Sequence, residues 1–160
     1  TGAAPQALMD NVGLPLRESL PRLVDLFIQK GLRQRIKIIA TGKLVMPSYV
    51  AWALATGADF IASARGNMFA LGCIQSLQCN KDTCPTGITT HNKRLQQGLD
   101  PKNKSTRVAN YNQYLHYDLT MIAHSCGVHD ARLLTRKHAH IVISSGVSIS
   151  LDQHYKHMIT

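Results

Sequence analysis

Ile36-Lys-Ile-Ile-Ala40-Thr-Gly42-Lys43-Leu-Val-Met-Pro47-Ser-Tyr-Val-Ala-Trp-Ala-Leu-Ala-Thr-Gly57-Ala-Asp59-Phe-Ile-Ala62-Ser-Ala-Arg65-Gly66 holds two short apolar runs, each followed by a Gly-containing turn. Ile36–Ala40 is short, apolar and β-branched, as a fully buried strand requires, and Asp59–Ala62 reads the same way. Thr41-Gly42 ends the first run and Arg65-Gly66 punctuates the second. Between them Pro47 and Ser48 start a short helix with Val50, Ala51, Leu54 and Ala55 on its apolar side, stopped by Gly57. Upstream, Leu16, Leu20, Leu23, Val24, Phe27 and Ile28 recur at three- and four-residue steps, the mark of an amphipathic helix. Ser19 is its expected cap, with Pro21 in the first turn and Gly31 as the left-handed C-cap. Met68–Leu71 starts a further helical turn. Helix, strand, helix, strand, helix with short connections is the order of parallel βα units in an α/β fold.

Parallel βα units carry their chemistry on the loops after the strands' carboxyl ends. Those loops are Thr41-Gly42-Lys43 and Ser63-Ala64-Arg65-Gly66. A Gly turn leading into a helix N-terminus offers backbone N–H groups and a positive dipole end to an anion. Lys43 and Arg65 stand where they would neutralise a phosphate. Taken singly, each Gly is also an ordinary turn.

Immediately downstream lies Cys73-Ile-Gln-Ser-Leu-Gln-Cys79-Asn-Lys-Asp-Thr-Cys84-Pro85-Thr-Gly87, three of the chain's four cysteines at C-x5-C-x4-C spacing. Thiolates bind soft metals and iron–sulfur clusters, and Pro85 fixes the backbone directly after its ligand. Three thiolates match the three irons of a 3Fe–4S centre in number. Zinc with His91 as fourth ligand is a rival, although the paired C-x2–4-C spacing of structural zinc sites is missing. Three buried, unligated thiols are the plain alternative. Clustered cysteines of this kind suit a reducing, cytoplasmic compartment better than disulfides.

The chain is the size of one ordinary domain, and 44% hydrophobic with 17% charged residues suits a soluble globular fold. No apolar run approaches the length of a membrane span. Thr1 is not an initiator Met and no signal peptide is visible, so a piece of a longer chain is expected. Eighteen basic against nine acidic residues give +9. Lys30, Arg33, Arg35, Lys37 and Lys43 form one basic group; Lys93, Arg94, Lys102, Lys104 and Arg107 form another, offset by Asp100. Aromatic residues do not interleave with these charges and no nucleic-acid motif is present, so no nucleic-acid partner is expected. A phosphate-bearing cofactor, helix ends and an acidic partner account for the charge.

Thr1-Gly2-Ala3-Ala4-Pro5 is either the tail of a ligand-contacting loop or a simple turn. Beyond the cysteines, His91–Gln97 reads as a short helix ending at Gly98. Ser105 is expected to cap a longer helix with Val108, Tyr111, Leu115, Leu119 and Ile122 on one face, stopped by Gly127. Ile141–Ile143 is a candidate strand and Asp152–His157 a last turn. Cys126 has no assignable partner and is expected to be buried where the long helix ends.

The segments Thr1–Pro5, Gly31–Ile36, Gly42-Lys43, Gly57-Ala58-Asp59, Ala70–Cys73, Cys79-x4-Cys84-Pro85-x-Gly87-Ile88 and Leu133–His138 together resemble the FMN-binding synthase domain of glutamate synthases, including the stand-alone glutamate-synthase-like proteins. That resemblance implies the C-terminal part of a (β/α)8 TIM-type barrel with a cysteine-rich loop and a C-terminal helical extension. Its expected parts are 1–72, the last βα units on the FMN phosphate side; 73–100, the iron–sulfur loop; and 101–160, a helix and extension closing the same domain. It implies a 3Fe–4S cluster on Cys73, Cys79 and Cys84, and FMN held through Gly2, Ala3, Gly42, Lys43, Ala64, Arg65 and Gly66. The parent would be an oxidoreductase acting on the CH–NH2 group, reducing the imine of 2-oxoglutarate and ammonia to L-glutamate. Electrons would come from ferredoxin or a pyridine-nucleotide-linked donor. Catalytic residues are expected upstream of Thr1, so none is assigned here. Lys-Leu-Val-Met-Pro after Gly42 lacks the second Gly of the larger glutamate synthases and fits the stand-alone subfamily better. Roughly the last two or three of eight strands would be present, since the whole fold takes about 250 residues. The rest of the barrel, or a second copy, would then cover the open sheet edge. Two other readings stay open: a non-catalytic half-barrel without cofactor, and a zinc-binding or basic nucleic-acid-binding module.

Overall fold

The computed structural model of the chain describes residues 4–9 and 11–155. It is a mixed α/β structure with two small sheets. In chain order the elements are α1 (Gln6–Met9), α2 (Leu16–Gln29), β1 (Ile39–Thr41), α3 (Pro47–Thr56), β2 (Phe60–Ala62), α4 (Ala64–Leu71), α5 (Lys93–Gln96), α6 (Pro101–Ser125), β3 (His140–Ser144), β4 (Val147–Ser150) and α7 (Leu151–His154). Short 3₁₀ turns occupy Cys79–Lys81, Ala131–Leu133 and Arg136–His138. Among the described residues no helix is long and apolar enough to cross a membrane. The described residues form two compact units, one from residues 4–9, 11–13 and 65–114, the other from residues 14–64 and 115–155.

In the second unit, β1 and β2 pair in parallel, with Ala40 opposite Ile61. This is the expected βαβ step. The strand predicted over Ile36–Ala40 is displaced and shorter than the apolar run. Its first residues are spent on a turn, because Ile36 N–H bonds Leu32 O at 3.2 Å and Arg33 Nη1 bonds Ile36 O at 3.1 Å. Nor are the strands fully buried: Ala40 is 2% exposed, but Ile39 and Phe60 are 65% and 57% exposed. One face of the parallel pair packs on helices and the other carries bare apolar side chains.

Leu20, Val24, Ile38, Ala40, Leu44, Val50, Ala51, Ala53, Ala55, Ala58, Leu119 and Leu134 make the core of this unit. Helix α2 begins at Leu16 after Pro15, so Ser19 lies inside it and is no cap. Pro21 falls in the second turn rather than the first and deprives the Arg17 carbonyl of its helical donor. The helix closes as the sequence predicts: Gly31 N–H reaches Ile28 O at 3.0 Å and Leu32 N–H reaches Phe27 O at 2.8 Å, a Schellman motif. The α2–α3 contact tolerates no side chain at Gly57. There φ is +124° and an added Cβ would lie 2.9 Å from Val24 Cγ1.

Two charge networks lock the unit. Arg33 Nη2 is 2.9 Å from Asp59 Oδ2 and donates to Gly57 O at 2.8 Å, while Ile38 N–H donates to Asp59 Oδ2 at 2.8 Å. The loops leading into β1 and β2 are thereby tied together. Arg136 Nη1 is 2.7 Å from Asp25 Oδ1, and the same guanidinium reaches Thr56 O and Pro21 O at 3.3 and 3.4 Å. The C-terminal segment is thus fastened to α2 and α3.

The expected strand at Ile141–Ile143 extends to His140–Ser144 and is half of an antiparallel hairpin with β4, turned at Ser145-Gly146. The last turn is α7, Leu151–His154; the end of the predicted Asp152–His157 lies outside the described residues. Helix α6 starts at Pro101 rather than at Ser105, with Asp100 Oδ1 accepting from Lys102 N–H at 3.1 Å. Pro101 in the first helical position suits a missing N–H, which is why the helix starts five residues earlier than a Ser105 cap would place it. The long helix ends as expected near Gly127, but Cys126 is half-buried rather than buried.

Candidate functional site

The turn after β1 is exposed at Thr41, Gly42 and Lys43, and Lys43 adopts a left-handed conformation with φ +57°. A non-glycine residue there stores strain, which tends to persist where a loop has work to do. Ser63, after β2, donates its hydroxyl to Leu44 O at 2.6 Å and so fastens the two strand-end turns to each other. This hydroxyl was not singled out by the sequence reading. A Ser between strand and helix is common, and only its distant partner gives it meaning. Ala64 is exposed at the start of α4; half-buried Arg65 and buried Gly66 follow in that helix's first turn. Gly2 and Ala3 lie outside the described residues.

The cysteine loop belongs to the other unit. Cys73 follows the end of α4, its N–H bonded to Met68 O at 3.0 Å. Cys79 opens the 3₁₀ turn Cys79–Lys81, and Cys84 is buried. None of the three forms a disulfide. The intervening chain bends through left-handed residues at Gln75, Leu77 and Asp82, with φ of +55°, +57° and +60°. Three such residues are costly, and their strain is offset by a dense set of side-chain ties. Thr90 Oγ1 donates to Asp82 O at 2.6 Å, and Asp82 Oδ1 accepts from His91 N–H at 2.6 Å. Asn92 caps α5 by accepting from Arg94 and Leu95 N–H, and Gln96 Nε2 returns to Thr90 O at 2.9 Å. The loop closes on itself at Gly87: with φ +80°, a Cβ there would fall onto the Leu95 carbonyl oxygen.

Cys84-Pro85-Thr86-Gly87 forms a β-turn, with Gly87 N–H bonded to Cys84 O at 3.2 Å and Pro85 in the second position it favours. The turn aims donors back at the sulfur. Thr86 Oγ1 lies 3.3 Å from Cys84 Sγ, and the N–H groups of Thr89, Thr86 and Ile88 converge on the same atom. Burial alone would push this thiol up, but the Thr86 hydroxyl and the three amides outweigh it and bring its pKa down to about 6. These donors favour the thiolate of Cys84, the form that ligates metal. Thr89 Oγ1, in the same loop, is buried without a partner among the described residues. A buried thiol facing N–H donors and two further free thiols in the same loop are, by donor type, the set that ligates an iron–sulfur group. Among the described residues no group of three or more His, Cys, Asp or Glu side chains is arranged around a single metal ion, and His91 is held through its backbone with an exposed ring.

A parallel βαβ step in one unit and a cysteine-bearing loop in the other are the marks of a mixed α/β protein. The family model described as the conserved region in glutamate synthase matches residues 1–129, and the chain belongs to that family. It is 41% identical over 152 residues to the glutamate synthase large subunit-like protein YerD of Bacillus subtilis, covering 95% of this chain and 29% of that protein. It is 32% identical over 134 residues to the archaeal glutamate synthase (NADPH) of Methanocaldococcus jannaschii, covering 84% of this chain and 26% of that one. It is 27% identical over 153 residues to the archaeal-type glutamate synthase (NADPH) of Dehalococcoides mccartyi, covering 96% and 30%. The chain thus spans less than a third of these relatives.

Proposed function

We propose that this chain is the C-terminal part of a (β/α)8 barrel in a glutamate-synthase-like oxidoreductase of the stand-alone type, and that it holds the enzyme's 3Fe–4S cluster and the phosphate end of its FMN. When bound, the cluster would pass electrons singly and the flavin would collect them in pairs for hydride transfer. Cys73, Cys79 and Cys84 would ligate the irons. Gly42, Lys43, Ala64, Arg65 and Gly66 would receive the phosphate, with Gly2 and Ala3 toward the flavin. The observation that carries this reading is buried Cys84, with Thr86 Oγ1 3.3 Å from its Sγ and three backbone amides turned to the same sulfur, in one loop with the free thiols of Cys73 and Cys79.

For the whole protein the proposed reaction is reductive amination of 2-oxoglutarate by free or glutamine-derived ammonia: water leaves as the imine forms, and two electrons with two protons give L-glutamate. The names of the archaeal-type relatives carry NADPH, which supports a pyridine-nucleotide-linked donor over ferredoxin. Exposed Ile39 and Phe60 support further barrel strands as the partner of the β1–β2 face, since apolar side chains on a short parallel pair call for cover. The thiolate chemistry fits a reducing, cytoplasmic setting.

The test compares full-length wild type with Cys84→Ser for glutamate formation from 2-oxoglutarate and ammonia under a reduced donor. Glutamate made by the wild type and abolished in the variant is expected. Equal rates in both would overturn the role given to Cys84.

A further inference from the structure

Two cations of the second basic group converge on one point of the cysteine loop. A Cβ built on Gly72 would lie 3.2 Å from Lys104 Nζ and 3.8 Å from Arg107 Nη1. Gly72 immediately precedes Cys73. Lys104 and Arg107 are three residues apart on α6, so both project from one side of that helix. Lys104 is half-buried, and among the described residues no carboxylate pairs with either side chain. The nearest acid in sequence, Asp100, directs its carboxylate to the Lys102 N–H at the start of the helix. Two like charges gathered at one place repel each other. An arrangement of this kind is stable when an anion shares the site.

We infer that Lys104 and Arg107 are the electrostatic counter-ions of the metal group held at Cys73, setting how readily it accepts an electron. The inference rests on the cluster reading above and extends it to residues outside the ligand set. A group held by three thiolates is negatively charged, and each one-electron reduction adds to that charge. Positive side chains at the first ligand stabilise the reduced form more than the oxidised one. Charge and hydrogen bonding around the sulfurs are general determinants of such potentials. Neither residue touches the reacting substrate; both are positioning residues.

The experiment is a redox titration of the anaerobically prepared full-length protein, followed by electron paramagnetic resonance. Wild type is compared with Lys104→Gln, Arg107→Gln, the charge-preserving Lys104→Arg, and Lys30→Gln as a charge-matched control in the other unit. Iron and sulfide are assayed first in every preparation. Loss of either cation is expected to lower the midpoint potential. At fixed potential this raises the oxidised-to-reduced ratio by about tenfold per charge, less at high salt. Lys104→Arg and Lys30→Gln are expected to match wild type. Unchanged midpoints in fully loaded Gln variants would overturn the counter-ion role. So would an equal shift in Lys30→Gln, or a loss of flavin retention with no change in midpoint. Absence of iron and sulfide from the wild type would instead sink the cluster reading beneath it.

Discussion

Arg136 Nη1 stands 2.7 Å from Asp25 Oδ1 with both side chains almost fully buried, 15% and 3% exposed. Asp25 Oδ2 has no hydrogen-bond partner among the described residues, so this one guanidinium carries the compensation for a buried carboxylate. The same guanidinium lies over the Tyr155 ring, 5.3 Å from its centroid. A segment distant in sequence is thereby made necessary to the α2–α3 core.

Removing one partner leaves a buried charge, whereas removing both leaves none. Arg136→Met is expected to destabilise the protein by about 3–5 kcal/mol, and Asp25→Leu combined with Arg136→Met to recover most of that loss. Urea unfolding of the two single variants and the double variant measures the coupling. Additive losses would show that the pair is not the joint these distances describe.

Asp59 gives the acid limb of stability. Burial pushes its pKa up, but the Ile38 amide, the Arg33 guanidinium and Lys37 together hold it below the usual carboxylate range. A group with a depressed folded pKa contributes stability above its unfolded pKa of about 3.9 and loses that contribution as pH falls through the folded value. Melting temperature is expected to drop below about pH 4 in the wild type and to drop less steeply in Asp59→Asn. Parallel acid limbs in the two proteins would remove Asp59 from the account.

Gly87 and Gly31 separate backbone strain from collision. Both have positive φ, +80° and +66°, but an added Cβ meets the Leu95 backbone at the first and open space at the second. Gly31→Ala is expected to cost about 1 kcal/mol and leave metal content untouched. Gly87→Ala forces the cysteine loop open, so its iron content is expected to fall sharply while the other unit still unfolds cooperatively. Circular dichroism melts with iron assays on both variants decide the point.

Much of the second unit was legible because hydrophobic periodicity survives in the sequence. The βαβ order from Ile36 to Gly66 and the stop at Gly31 follow from apolar runs bounded by Gly and Pro. Caps were less legible. Ser19 and Ser105 are good cap residues in principle, but Pro15 before Leu16 and Asp100-Pro101 begin those helices earlier. The hairpin strand Val147–Ser150 was missed because its alternation uses Ser on the polar face and its turn is the weak signal Ser145-Gly146. At the site, spacing pointed to the three cysteines but not to the donors around Cys84, which depend on the turn's geometry. Nor did it reveal Ser63 bonding Leu44, or the approach of Lys104 and Arg107 to Gly72. All of these are made by residues too far apart, or too common, for local pattern to show.

Cys73, Cys79 and Cys84 are proposed to hold an iron–sulfur cluster. Its most direct measurement is iron, sulfide and zinc analysis of anaerobically prepared full-length protein, with the electron paramagnetic resonance spectrum of the oxidised sample. About three irons per chain with matching sulfide and a three-iron signal are expected, all lost in Cys73→Ser, Cys79→Ser and Cys84→Ser. Zinc in place of iron, or a full iron load persisting in the serine variants, would contradict it.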